Sequence, residues 1–182
     1  MPDTLPLART NAEARLYLTL QPCPACGETR CKFRSAVITV DGDLASRYTG
    51  DCPSCGTSRA YEFRLPADIL PPPADSVRFG LDNPSELLDP GVWLWYSDNC
   101  IRQVGPAGGD PQSARAARHT LATALAAVEE AAKFLPPAAD RIPATAFTSP
   151  RGRATYTAEP GRFTRSRLAA LRATYAAALA DR

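Results

Sequence analysis

The chain has 182 residues, 45% of them hydrophobic, and a formal net charge of +2, which suits one domain or one domain with a small attached module. No apolar run approaches the roughly 18 residues of a membrane-spanning helix, and the N-terminal stretch MPDTLPLARTNAEAR has neither the basic nor the apolar region of a secretory signal. Six cysteines in that setting point to a reducing compartment, where thiols bind metal more often than they pair, with the cytoplasm as the expected location.

In ARLYLTL, Leu16, Leu18 and Leu20 alternate with Arg15, Tyr17 and Thr19, the period-2 pattern of a half-buried strand. KFRSAVITV (32–40) is β-branched and alternating, Asp41-Gly42 suits a tight turn, and LASRYTG (44–50) returns. Together they predict a β-hairpin. AYEFRLP (60–66) is a further strand with Tyr61, Phe63 and Leu65 on one face. The stretch LPADILPPPAD reads as a stiff, extended connector.

Beyond it the period lengthens. Asn83-Pro84, Asp89-Pro90 and Asp110-Pro111 each pair a capping side chain with proline at the first helical position. Asp89 opens a predicted helix over 90–104, ended at Gly105-Pro106, with Trp93, Tyr96, Cys100 and Val104 on one stripe. WLWY alone favours strand, and the two cap signals outweigh it. Asp110 opens a helix over 111–134, preceded by the glycine-rich loop VGPAGGDP; Leu121, Leu125, Val128 and Ala132 form its stripe, and Glu129 and Glu130 read as a solvated face. TAFTSPRGRATYT (145–157) predicts a β-hairpin turning at Ser149–Gly152. TRSRLAALRATYAAALA (164–180) predicts a helix capped by Thr164 that buries Leu168, Leu171, Tyr175 and Leu179.

The chemistry is concentrated in two copies of C-P-x-C-G, Cys23-Pro24-Ala25-Cys26-Gly27 and Cys52-Pro53-Ser54-Cys55-Gly56. Two residues between cysteines let both sulfurs of a pair reach one ion, and the glycine permits the positive φ that such a turn needs. The 25 residues between the pairs are enough for one hairpin that brings them together. Four thiolates in a tetrahedron favour Zn²⁺ and leave no open coordination position. Over about residues 15–66 this resembles the zinc-ribbon fold group. The resemblance implies an antiparallel ribbon around one structural Zn²⁺ on Cys23, Cys26, Cys52 and Cys55. It implies no activity, because ribbons serve many unrelated roles. A thioredoxin-like redox pair needs one C-x-x-C beside a βαβ unit, and neither condition holds.

Other reactive residues have plainer readings. Cys31 lies outside both knuckles and reads as a small residue at a strand start, with a spare ligand or sensor thiol as the alternative. Cys100 falls on an apolar stripe and reads as core. His119, the only histidine, lies off the Leu121/Leu125 stripe and reads as exposed. No G-x-S-x-G, P-loop or dinucleotide fingerprint is present.

The expected architecture is therefore α+β: an N-terminal antiparallel zinc ribbon (1–66), then a mainly helical part with one β-hairpin (67–182) packed on it. The expected role is non-enzymatic binding of a partner protein. Trp93 and Trp95 point apart on a helix, so one is a candidate exposed contact beside Asp89 and Asp98. In layout the chain looks somewhat like small cytosolic immunity or adaptor proteins of bacteria. Charge supports an alternative: residues 141–182 carry eight arginines against Glu159 and Asp181, so Arg162, Arg165 and Arg172 are candidate nucleic-acid contacts. An acidic stretch over 66–110 would instead neutralise that strip internally. A third alternative is an enzyme in which the zinc is purely structural.

Overall fold

The structure, a computed structural model, describes residues 4–67, 77–105 and 110–181. Residues 68–76 of the proline connector, and Pro106 with the rest of the glycine-rich loop up to 109, lie outside the described residues. The chain divides into two compact units: Met1–Leu70 with Ser85–Leu87, and Pro71–Pro84 with Leu88–Arg182. The architecture is α+β, with five α-helices and one three-stranded antiparallel sheet among the described residues. No helix among them is long and apolar enough to cross a membrane.

The first unit begins with a correction. Residues 15–20, whose alternation predicts a strand, lie in helix α1 (Asn11–Thr19) and its C-cap, Leu20. The deciding signal lies upstream. Thr10 caps the helix, its Oγ1 accepting the Glu13 N–H at 3.1 Å, and the Glu13 carboxylate accepts the Arg9 N–H at 2.8 Å. The first bond satisfies one orphan donor of the first turn, and the second ties the residue before the cap back to the helix. Helical spacing then places Ala14, Tyr17 and Leu18 on one face, and Ala14 and Leu18 are buried there with Tyr17 packed against them. Arg9 and Glu13 are themselves buried and paired, Nη2 to Oε1 at 2.6 Å.

The sheet follows its sequence pattern. β1 (Arg34–Val40), β2 (Asp43–Asp51) and β3 (Ser58–Arg64) pair antiparallel in the order β1-β2-β3. Asp41 at φ 51° and Gly42 at φ 93° make the two-residue turn between β1 and β2, a type I′ turn whose twist matches the strands. The register sets Tyr48 opposite Tyr61 and Ser46 opposite Phe63. Tyr48, Phe63, Ala14 and Leu18 form the core, with Tyr17, Phe33, Tyr61 and Leu87 packed around it. The rings meet edge to face, Tyr17 on Phe63 at 5.7 Å and Phe33 on Tyr61 at 5.6 Å. The Tyr48 hydroxyl donates to Asn11 Oδ1 at 2.8 Å. Glu86 belongs to this unit, accepting from the Leu7 N–H at 2.8 Å and pairing with Arg64 at 3.2 Å.

The second unit is helical. α2 (Pro90–Gln103) and α3 (Pro111–Ala132) start where Asp89 and Asp110 predict, and both carboxylates accept first-turn N–H groups. The α2 stripe buries Trp93 and Cys100, and Tyr96 is half-buried. On α3 the buried face is Leu121, Ala124, Ala127, Val128 and Ala131, so alanines carry much of the helix contact and let α2 approach closely. Ser97 donates across that contact to the Ala124 carbonyl at 2.9 Å. Glu130, expected on a solvated face, is buried and paired with Lys133 at 2.6 Å. The face is set by the alanines, and they turn Glu130 inward. Asn83-Pro84 opens no helix: residues 81–89 contain only bends and irregular backbone. A cap needs an apolar periodic face after it, and only five residues separate Pro84 from Pro90.

The hairpin predicted over 145–157 is also corrected. Ala144–Ala146 forms one 3₁₀ turn, and α4 (Pro150–Ala158) is a helix. Ser149 is its cap, with Oγ accepting the Gly152 N–H at 2.9 Å. Ser149-Pro150 is thus another capping pair, where the reading above takes a turn. Phe147 stacks on Tyr156 at 4.3 Å and meets Phe163 edge to face at 4.8 Å. α5 (Arg165–Ala180) is capped by Thr164 and buries Leu168, with Leu171, Tyr175 and Leu179 half-buried.

Candidate metal centre

Cys23 and Cys26 lie between α1 and β1, and Cys52 and Cys55 lie between β2 and β3. The two knuckles repeat one backbone design. The Gly27 N–H donates to the Cys23 carbonyl at 2.8 Å, as Gly56 does to Cys52 at 2.9 Å. The Cys23 N–H donates to the Glu28 carbonyl at 2.8 Å, as Cys52 does to Thr57 at 3.0 Å. Gly27 and Gly56 sit at φ 79° and 72°, the left-handed region that glycine enters without cost.

Three contacts bring the knuckles together. Gly50 is one: a Cβ there would fall on the Lys32 carbonyl oxygen, so glycine lets the strand leaving the first knuckle lie against β2. Ser54 Oγ donates to Glu28 Oε2 at 2.9 Å, from one knuckle to the other. Arg59, buried between the Phe33 and Tyr61 rings, donates through Nη2 to the Gln21 carbonyl at 2.9 Å.

The four Sγ atoms all lie within 4.8 Å of one another, with Cys23 to Cys55 at 3.7 Å and Cys26 to Cys52 at 3.5 Å. None of the cysteines is in a disulfide. Cys23 and Cys52 are buried, and Cys26 and Cys55 are exposed. Electrostatics separates the thiols. The Thr57 hydroxyl and N–H, followed by Cys26, pull the Cys55 thiol down to about 6. Cys26 is lowered by the Glu28 N–H, but the sulfurs of Cys55, Cys52 and Cys23 override that and push it up to about 12. Four thiols this close cannot all ionise unless a cation balances them. The cluster is a plausible site for one metal ion. Beside it, hydrogen bonds from the Arg30 side chain and backbone, and from Ser54, hold the Glu28 carboxyl well below the usual carboxylate range.

No family model, no curated protein and no solved structure matches this chain.

The other residues singled out in the sequence are dispersed. Trp93 is fully buried against Phe79, with ring centroids 5.0 Å apart. Asp89 is buried, and its Oδ2 accepts from the Ser149 N–H and hydroxyl at 2.7 and 2.6 Å. Trp95 is half-exposed, with the Arg151 guanidinium 3.9 Å above its ring. Asp98 binds Arg162 through two bonds of 2.7 and 2.8 Å. Arg165 donates to the carbonyls of Pro136, Pro137 and Ala139, and Arg172 pairs with Glu129 at 2.8 Å. All three candidate nucleic-acid arginines therefore have partners inside their own unit. His119 is exposed, and Cys100 is buried, with burial pushing its thiol up. Cys31 is half-exposed beside Arg59.

Glu28, Ser54, Thr57 and Arg59 were not singled out in the sequence. One signal was present for two of them: Glu28 and Thr57 each stand five positions after the first cysteine of a C-P-x-C-G copy. Ser54 and Arg59 are placed only by the folding of the two knuckles onto each other.

Proposed function

We propose that this chain is a non-enzymatic zinc-ribbon protein that binds another protein, with one structural Zn²⁺ on Cys23, Cys26, Cys52 and Cys55. The mutual approach of the four Sγ atoms, all within 4.8 Å, carries the metal reading. A tetrahedron with Zn–S of about 2.3 Å has sulfurs about 3.8 Å apart, close to the 3.5 and 3.7 Å of the two bonded pairs. Four thiolates select zinc among common divalent ions and fill its coordination shell, so no position remains for a substrate. The ribbon reading keeps the two knuckles and the antiparallel sheet; its first strand is replaced by α1.

The protein-binding reading is supported by exposed apolar side chains on the same sheet. Val37 is 66% exposed and Leu44 58%. Residues of this size left in water on a small module suit an interaction surface. The internal pairing of Arg162, Arg165 and Arg172 weakens the nucleic-acid alternative. Elemental analysis of freshly purified protein tests the base of the reading. About one zinc per chain is expected, and substantially less overturns the assignment. For the binding role, partner capture by the wild-type chain should fail with the double variant Val37→Lys/Leu44→Lys. Capture that survives the double variant overturns the placement on the sheet.

A further inference from the structure

We propose that the outer edge of β1 pairs antiparallel with β1 of a second copy of this chain, around a two-fold axis at Val37. This rests on the protein-binding reading above and names the partner for that surface.

The backbone sets the register. Val40 and Asp43 close the two-residue turn and are directly opposed, so they exchange hydrogen bonds. Bonding alternates along an antiparallel pair, so Ile38, Ala36 and Arg34 also bond to β2. Ser35, Val37 and Thr39 point their N–H and C=O groups away from it. The Leu65 N–H bonds to the Leu44 carbonyl at 3.2 Å. Leu44 thus turns its backbone to the β3 side, as this alternation requires of the residue opposite Thr39. No described strand pairs with the outer edge of β1. At the other edge, β3 meets the N-terminal segment: the Ala8 N–H bonds to the Arg64 carbonyl at 3.1 Å, and the Arg64 N–H to the Pro6 carbonyl at 2.9 Å.

Sheets usually guard such an edge with charge, proline or a bulge. SAVITV, residues 35–40, has no charged residue and no proline, and its register with β2 is uninterrupted. Ser35, Ala36, Val37 and Thr39 are all exposed. The edge is self-complementary. Two-fold pairing at Val37 sets Val37 against Val37 of the second copy, and Ser35 against Thr39 at both ends. All three outward-facing residues are matched, giving about six main-chain hydrogen bonds. Charge agrees with the direction. Lys32 and Arg34 lie at one end of the strand and Asp41 and Asp43 at the other, all exposed. An antiparallel copy brings each basic end beside an acidic end, whereas a parallel copy would set like charges side by side. Val37 and Thr39 share a face of the sheet with Leu44, so the joined sheets also cover apolar surface now in water.

Sedimentation of the zinc-loaded full chain over a range of concentrations tests this. Reversible association to twice the chain mass is expected. Val37→Lys and Thr39→Lys, both at exposed positions, should each weaken it by about tenfold or more. Val37→Pro should do the same, because it removes only an N–H that β2 does not use. Unchanged zinc content and circular dichroism would show that the variants fold. A chain that stays monomeric at every concentration overturns the proposal, as does a dimer that all three variants leave intact. Neither result touches the zinc stoichiometry, and partner capture by a strictly monomeric chain would leave the protein-binding reading standing while this inference falls.

Discussion

Cys23 and Cys52 are the buried members of the thiol cluster, and Cys26 and Cys55 its exposed members. Serine at Cys23 or Cys52 should abolish metal retention and unfold the first unit, since the structural zinc proposed above would contribute on the order of 10 kcal/mol to a module of this size. Metal analysis and near-ultraviolet circular dichroism would record both losses. Serine at Cys31 should leave the metal in place. Acid should release the metal, because protons compete for thiolates. The folded-state value of Cys55 is lowered from 9.0 to about 6. Its contribution is therefore complete above pH 9 and is lost as the pH falls through about 6. Metal retention that does not fall anywhere between neutrality and strong acid would contradict this.

Asp89 shows how far a single residue was legible. Its capping role for α2 follows from Asp-Pro alone. Its second role does not: Oδ1 accepts the Val92 N–H at 3.0 Å while Oδ2 holds Ser149, sixty positions away. Acidity placed it among exposed contact residues, whereas two helix starts bury it. Asp89→Ala should destabilise the second unit by about 2–4 kcal/mol, through a lost cap and unpaired Ser149 donors, measurable by chemical denaturation. Glu13 is comparable in the first unit. Glu13→Ala removes the carboxylate paired with the buried Arg9 guanidinium and should cost about 3–5 kcal/mol.

At the scale of elements, what the sequence made readable was what local chemistry decides. Asp41-Gly42 announced its turn, and Asp110 and Thr164 their helices. α1 was misread because three alternating leucines masked the Thr10–Glu13 cap. α4 was misread because Ser-Pro serves turns and helix starts equally well. The knuckles were readable because bringing four thiols to one point imposes spacing on the chain; the contacts joining them were not. Close approaches between elements leave only a glycine as their trace. Gly152 is one, since a Cβ there would fall on the Asp89 carboxylate, and Gly91 faces the Gly152 backbone. Gly152→Ala should therefore separate α2 from α4 and lower the denaturation midpoint by more than the gain in helix propensity of about 1 kcal/mol can offset. An unchanged midpoint would refute the close crossing.

At the scale of the whole molecule, each unit has its own aromatic reporters. Both tryptophans, Trp93 and Trp95, belong to the second unit; Tyr17, Tyr48 and Tyr61 belong to the first. Stripping the metal with a chelator should therefore erase the near-ultraviolet contribution of Tyr17, Tyr48 and Tyr61 and leave that of Tyr96, Tyr156 and Tyr175, which belong to the second unit. The tryptophan emission maximum should stay near its native position, because Trp93 is buried among residues of the helical unit. A large red shift on chelation would mean that the helices need the metal too.

The carboxylate shared by α2 and α4 also bears on the order of folding. Each helix start has its own local cap, Asp89 Oδ1 on the Val92 N–H and Ser149 Oγ on the Gly152 N–H, and the bond between the two starts closes only when a segment sixty positions away has arrived. α3 can form early from its own sequence, since among the described residues the Asp110 carboxylate bonds to its near neighbours Gln112 and Ser113. The bond that joins the two helix starts is long-range, so it should form later than α3. Mutations at Asp89 and Ser149 should then register in the refolding rate as a pair, whereas those at Asp110 should act alone.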